Sequence, residues 1–150
     1  MLEIGSSAEA AYVADDDDMA SAFCIAEQDV FPEVFSTARM IALMEHAGAR
    51  VLRPLLQPGQ VSVGVTINIS HLAATPNHSW VSAHATFLGM EGKLYKFKVE
   101  AFDSGGKIGE GEHNRAIVNM ERLVQGARAR LQSAAGKPGA AGSEGKGRST

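Results

Sequence analysis

Hydrophobic and polar positions divide the chain into one helical stretch followed by a series of strands. From Ser36 to Leu56, Met40, Ile41, Met44, Ala47, Gly48, Val51, Leu52 and Leu55 recur at three- and four-residue spacing. This predicts a long helix with one apolar face and Ser36 as its N-cap. Pro54 and then Gln57-Pro58-Gly59 end it, because proline removes an amide donor and Pro-Gly favours a turn. Beyond the turn, Val61, Val63, Val65, Ile67 and Ile69 alternate with Ser62, Gly64, Thr66, Asn68 and Ser70, the pattern of a half-buried strand ending at His71. Trp80–Met90, Lys93–Asp103 and Lys107–Met120 read as three more strands, with tight connections at Glu91-Gly92 and Ser104-Gly105-Gly106.

The flanks carry weaker signals. Within Met1–Ala14 the segment AEAAYVA suits a short edge strand or an extended arm. The acidic run Asp15–Asp18 ahead of MASAFCIA predicts a short helix over about Asp17–Ala26 with a solvated, dipole-complementing start. Phe31-Pro32-Glu33-Val34-Phe35 cannot be helix interior, and it sets two exposed-looking aromatics just before the main helix. Glu121–Ser133 shows a weak helical stripe. Residues 134–150 have many glycines and no large apolar side chain, so they read as a disordered tail behind a single domain spanning residues 1–133.

Charge offers a register for the last hairpin. Pairing about Ser104 sets Lys98 opposite Glu110 and Lys96 opposite Glu112 on a solvent face, with Tyr95, Phe97 and Val99 across from His113, Gly111 and Gly109 on the other. His113 and Arg115 then point inward. Ile108, Ala116 and Val118 have the opposite parity, so a bulge near Asn114 is expected. One long helix and short-linked strands make an α+β fold, an antiparallel sheet wrapped around a central helix. A single helix cannot cover such a sheet, and its edges are open, which predicts a symmetric homodimer.

Composition narrows the function classes. With 150 residues, 45% hydrophobic and 21% charged, the chain is long enough to bury a real core. A net charge of −3 and the lack of a Lys/Arg cluster give no footprint for nucleic acid. No signal peptide or membrane-spanning run is visible, and Cys24 is the lone cysteine, so a cytoplasmic protein in a reducing compartment is expected.

Among reactive side chains, Glu45 is the sharpest anomaly. It sits at the edge of the apolar helix face, and the positions one turn away hold Ile41, Ala42, Gly48 and Ala49, none a cation. Burying an unpaired carboxylate costs several kcal/mol, so Glu45 needs a distant partner or a task. Thr37, His71 and Arg115 are the other candidates, with His46, His78, His84 and His113 in reserve; their scatter gives no metal-ligand spacing, and none of the phosphate-loop or Gly-x-Ser-x-Gly motifs is present. Thr37 and Glu45 lie eight residues apart on one helix, roughly 12 Å along its axis, so they cannot touch within it. A hydroxyl, carboxylate and imidazole can still converge if the site is built where two subunits meet, with a strand-end histidine bridging between them. Each also has a structural role open to it: Thr37 as a capping residue, Glu45 in an ordinary ion pair, His71 as a strand-end residue, Arg115 paired near Glu112 or Glu121.

Three separated segments, FPEVFSTARMIALMEHAGARVLRPLL, VGVTINISHLAATP and IGEGEHNRAIV, resemble the fluoroacetyl-CoA thioesterase family of hot-dog-fold acyl-CoA hydrolases, over about Phe31–Met120. The resemblance implies a hot-dog dimer that binds thioesters near its subunit interface. It implies hydrolysis of a small or medium acyl-CoA to free acid and CoA, with no cofactor, since coenzyme A is part of the substrate. By the matching motifs, Thr37, Glu45 and His71 correspond to the catalytic hydroxyl, carboxylate and histidine. Gly64 corresponds to a backbone contact near the thioester, and Arg115 to the arginine of the GxHxRA-like strand Gly111–Ala116. Phe31 corresponds to part of an aromatic lid over the acyl group. The family's fluoroacetyl-selective member carries a second lid aromatic where this chain has Gln28, so a broader acyl preference is expected. A hydratase or dehydratase acting on enoyl or hydroxyacyl thioesters would use the same kind of His and carboxylate pair, and a non-catalytic acyl-thioester binder would release no free thiol. The presence of all three polar residues favours an enzyme.

Overall fold

The structure is a computed structural model that describes residues 1–135. The element that places everything else is helix α1, Thr37–Leu52, capped at its start by Ser36, whose hydroxyl accepts from the Arg39 amide at 3.0 Å. Met40, Leu43, Met44, Ala47, Gly48, Val51 and Leu52 are its buried face. A short 3-10 turn, Arg53–Leu55, with proline inside it, closes the helix.

Five strands form one wholly antiparallel sheet: β1 Ser7–Val13, β2 Gln60–His71, β3 Trp80–Glu91, β4 Leu94–Asp103 and β5 Gly106–Asn119, in the order β1-β3-β4-β5-β2. Alternation on β3 and β4 turns Val81, Ala83, Ala85, Phe87, Phe97, Val99 and Ala101 onto α1, which packs against all five strands. The AEAAYVA segment is the edge strand β1. At the other edge β2 pairs with β5 rather than with its sequence neighbour β3, so the segment from Leu72 to Ser79 carries the chain across the sheet. Helix α2, Met120–Ala135, follows β5 with no buried residue. Residues 136–150, most of the segment read as a disordered tail, lie outside the described residues, and Ala134 and Ala135 belong to α2.

Three local expectations are corrected. The helix over Asp17–Ala26 is instead two 3-10 turns, Asp16–Asp18 and Ala20–Phe23. Between them Met19 is extended and bridges Phe35, while Ala20 N donates to Val34 O and Ser21 N to Pro32 O. Pairing to the incoming segment has taken the amides a helix would use. Asp18, read as solvated, is buried and ion-paired with Arg39 at 3.4 Å. Phe35, read as exposed, is fully buried with its ring 6.5 Å from Tyr12, whereas Phe31 remains 48% exposed.

The last hairpin keeps the expected faces but shifts by two residues: Lys98 lies opposite Glu112, Lys96 opposite Asn114, and Phe97 opposite His113. The turn is centred between Ser104 and Gly105, and the ladder slips once more where Ala101 pairs Gly109 but Phe102 pairs Lys107. Ile108 is the extra residue, which is why it and Gly109 are both buried. Two slips restore parity, so His113 and Arg115 do face inward. The irregularity near Asn114 belongs to β2, between Gly64 and Thr66.

Candidate active site

Sequence placed Thr37, Glu45, His71, Gly64, Arg115 and Phe31 at a site; the fold gathers five of them into two groups along the seam between α1 and β2. At the N-terminal end of α1, Thr37 Oγ1 lies 2.8 Å from His71 Nδ1. The helix N-cap fixes the threonine, and the end of β2 fixes the histidine. Because α1 and β2 run in opposite directions across this seam, the helix start meets the strand end. His71 Nε2 is buried with no hydrogen-bond partner. Burial holds the imidazole below its ordinary value, against the Ala73 backbone carbonyl, which favours the protonated ring. His71 is therefore neutral near pH 7 and keeps a lone pair for a proton.

This pair opens on a cavity of about 400 Å³ lined by Ala20, Pro32, Val34, Phe35, Leu72 and Ala73 among others. The wall is apolar, and beside Thr37 and His71 only Ser36 brings a polar side chain to it. The first-turn amides of α1 also point toward this end of the helix, with the positive end of its dipole. Phe31 is absent from that wall; its neighbour Pro32 is part of it.

Two turns along α1 is the second group. Arg115, 5% exposed, donates from Nε to Ser62 Oγ at 3.0 Å, from Nη2 to the Ser62 carbonyl at 2.8 Å, and from Nη1 to Glu45 Oε1 at 3.3 Å. This is the distant cation that Glu45 required. Burial pulls the guanidinium below its ordinary range and Glu45 opposes it, leaving a permanent cation in a dry wall. The Glu45 side chain is 42% exposed, so the carboxylate is braced on one side and open on the other. It lies directly on Gly64: a Cβ there would overlap Glu45 Oε1 and meet His113 Cε1 at 3.2 Å. Gly48 leaves similar room, a Cβ there falling 3.1 Å from Arg115 Cδ.

Sequence reasoning did not assign roles to Ser62 and His113. His113 Nδ1 lies 2.8 Å from the Thr66 carbonyl and Nε2 3.2 Å from Arg115 Nη1. Its inward parity on β5 was the available signal; Ser62 gave none, since it sits on the polar phase of β2. Among the described residues no group of three or more His, Cys, Asp or Glu side chains is placed to hold a metal ion, and no helix is long and apolar enough to cross a membrane.

Within one chain the two groups do not meet. Thr37 and Glu45 remain roughly 12 Å apart along the helix axis. A hydroxyl–imidazole pair beside an apolar pocket, and a carboxylate beside a glycine backbone, are groups chemically able to take part in acyl transfer, divided along one helix.

Comparison with known proteins bears on the family and the fold. The family described as fluoroacetyl-CoA-specific thioesterase matches residues 15–121. Fluoroacetyl-CoA thioesterase of Streptantibioticus cattleyicolor is 41% identical over 93 residues, covering 62% of this chain and 67% of that protein. A solved structure of the fluoroacetyl-CoA thioesterase FlK superposes with a TM-score of 0.81 at 31% identity, over 87% of this chain and 98% of the other. A hot-dog-like protein from Thermanaerovibrio acidaminovorans, at 22% identity, shares the fold, with a TM-score of 0.71 over 87% and 93% of the two chains. The sheet wrapped around α1 is thus a hot-dog fold, and the chain belongs to the fluoroacetyl-CoA-specific thioesterase family.

Proposed function

We propose that this chain is an acyl-CoA thioesterase that hydrolyses small or medium, uncharged acyl-CoA thioesters to free acid and coenzyme A. The observation that carries the reading is the 2.8 Å Thr37–His71 contact at the mouth of an apolar cavity. The acyl group occupies that cavity, whose wall carries no cation to hold an acyl carboxylate. Phe31, Ile25 and Val30 are exposed apolar side chains on the segment that runs into Pro32 of the wall, and we assign them as the cavity's cover when substrate is bound. Gln28, exposed on the same segment, would bring a polar group to that cover, which favours general acyl selectivity over recognition of a single fluorinated acid.

In the proposed mechanism neutral His71 accepts a proton from Thr37 or from a water that Thr37 orients, and attack on the thioester carbonyl follows. Amides at the start of α1 or near Gly64 stabilise the oxyanion. Its collapse breaks the C–S bond, and the proton taken up by His71 passes to the leaving coenzyme A sulfur. Where Thr37 has attacked, Glu45 takes a proton from a water that hydrolyses the acyl-threonine ester and returns it to the Thr37 oxygen. Because Thr37 and Glu45 are separated in one chain, we assign the complete site to a homodimer in which Thr37 and His71 of one protomer face Glu45 of the partner subunit. The open edge of β2, where Val65 is 51% exposed, fits such an assembly. Coenzyme A enters as part of the substrate, so no separate cofactor is assigned. The lone thiol Cys24, exposed and free, fits a reducing cytoplasm.

Free-thiol release from a panel of acetyl-, fluoroacetyl-, hexanoyl-, crotonyl-, 3-hydroxybutyryl-, benzoyl- and succinyl-CoA tests this. Release from neutral acyl-CoAs that disappears in Glu45→Ala supports the reading. No thiol from any member, with an altered acyl group instead, would replace it by hydratase chemistry, and unaltered binding alone by a thioester-binding protein.

A further inference from the structure

We propose that His113 is a positioning residue: its neutral imidazole, by accepting from Arg115, sets where Arg115 holds the Glu45 carboxylate. This deepens the thioesterase reading and rests on it for the role of Glu45.

His113 is 1% exposed, under the Phe97 ring at 6.5 Å between centroids. Its Nδ1 faces the Thr66 carbonyl at 2.8 Å, an oxygen that only accepts, so the ring proton belongs on Nδ1 and the lone pair on Nε2. Facing Nε2 at 3.2 Å is Arg115 Nη1, which only donates. Two fixed partners therefore select one tautomer and one charge state. They also assign both hydrogens of Nη1, one to His113 and the other to Glu45 at 3.3 Å. With Nε and Nη2 on Ser62, the guanidinium cannot turn without breaking several hydrogen bonds. The Thr66 carbonyl follows the register shift between Gly64 and Thr66, where a bulge frees backbone groups from the regular ladder.

A proton on Nε2 would set donor against donor and cation beside cation. The charged groups facing the ring are Arg115 from β5 and Glu45 from α1; Thr66, Gly48 and Phe97, from β2, α1 and β4, are neutral. Burial pushes the imidazole below its ordinary value and Arg115 adds to this, while the Thr66 carbonyl and Glu45 oppose it. The bracing of Glu45 therefore persists at neutral pH and fails as pH falls through the lowered His113 value.

The test compares two non-titrating variants. His113→Gln places an amide oxygen where Nε2 stood and keeps the acceptor for Arg115; His113→Asn is too short to reach it but still satisfies Thr66. We expect Gln to keep kcat within about threefold of the wild type, and Asn to lose about tenfold or more in kcat with KM nearly unchanged. An Asn variant as active as the wild type, or a Gln variant no better than Asn, overturns the proposal. Long-range ¹H–¹⁵N NMR of the wild-type imidazole at neutral pH reads the same assignment without a variant: an Nδ1–H neutral ring supports it, and an Nε2–H or doubly protonated ring overturns it. A wild-type chain that releases no thiol from any acyl-CoA, while showing the Nδ1–H ring, removes the thioesterase reading and leaves the His113–Arg115 assignment in place.

Discussion

Thr37→Ala and His71→Ala remove opposite ends of one 2.8 Å hydrogen bond, so their effects should coincide rather than add. Each is expected to lower kcat by about 100-fold or more, and the double variant to be scarcely worse than either, with thermal melts close to the wild type. Additive losses would mean that the two side chains act separately. The pH dependence has a definite sign. His71 must be neutral to accept a proton, and burial lowers its pKa, so kcat/KM is level at neutral pH and falls only below the ordinary histidine value near 6.5. Gly64→Ala separates function from stability. The atom its Cβ would strike is the tip of a flexible side chain, Glu45 Oε1, so the fold adjusts by displacing the carboxylate. Turnover should drop about tenfold or more while the melting temperature stays nearly constant. Glu45 was visible in the sequence because no cation lay one helical turn away. The Thr37–His71 contact was not, since 34 residues separate the pair and only the docking of β2 beside α1 brings them together.

Strand β2 carries Ser62, Gly64 and His71, and its position depends on how closely it approaches β5. A Cβ at Gly111 would overlap the Asn68 carbonyl and lie 2.6 Å from Ile69 Cα, backbone atoms that cannot rotate away. Gly111→Ala should therefore cost about 3 kcal/mol in urea unfolding, by pushing β2 off the sheet. Gly126→Ala, with nothing within 4 Å and a place inside the exposed helix α2, serves as the control and should be neutral or slightly stabilising. The same close approach explains what was legible at this scale. Period-two alternation marked β2 to β5 and the helical stripe marked α1, because both elements bury one face against the other. Lys–Glu pairing gave the hairpin its correct faces but the wrong register: Lys96 reaches Glu112 diagonally at 3.0 Å, so charge complementarity tolerated a two-residue error. The error has two sources, a turn centred between Ser104 and Gly105 and the extra residue Ile108; Gly105, Gly106 and Gly109 mark the region as irregular but do not say which residue is unpaired. The expected helix after Asp15 failed for a related reason, because local capping signals were outweighed by pairing to residues 32–35.

At the scale of the whole molecule, one helix has two chemical ends. The hydroxyl–imidazole pair occupies its start and the braced carboxylate its middle, and the carboxylate turns 42% of its side chain outward. A two-fold axis that sets two such helices side by side in opposite directions brings the start of each to the middle of the other, giving two identical sites per dimer. Subunit mixing decides this directly. Thr37→Ala and Glu45→Ala homodimers should each be nearly inactive in thiol release. Unfolded together and refolded at equal concentration, random pairing makes about half the dimers mixed. In a mixed dimer with shared sites, both lesions fall in one site and the other is intact, so the mixture recovers about one quarter of wild-type activity. If each chain instead held its own complete site, every site in the mixture would carry a lesion and no activity would return.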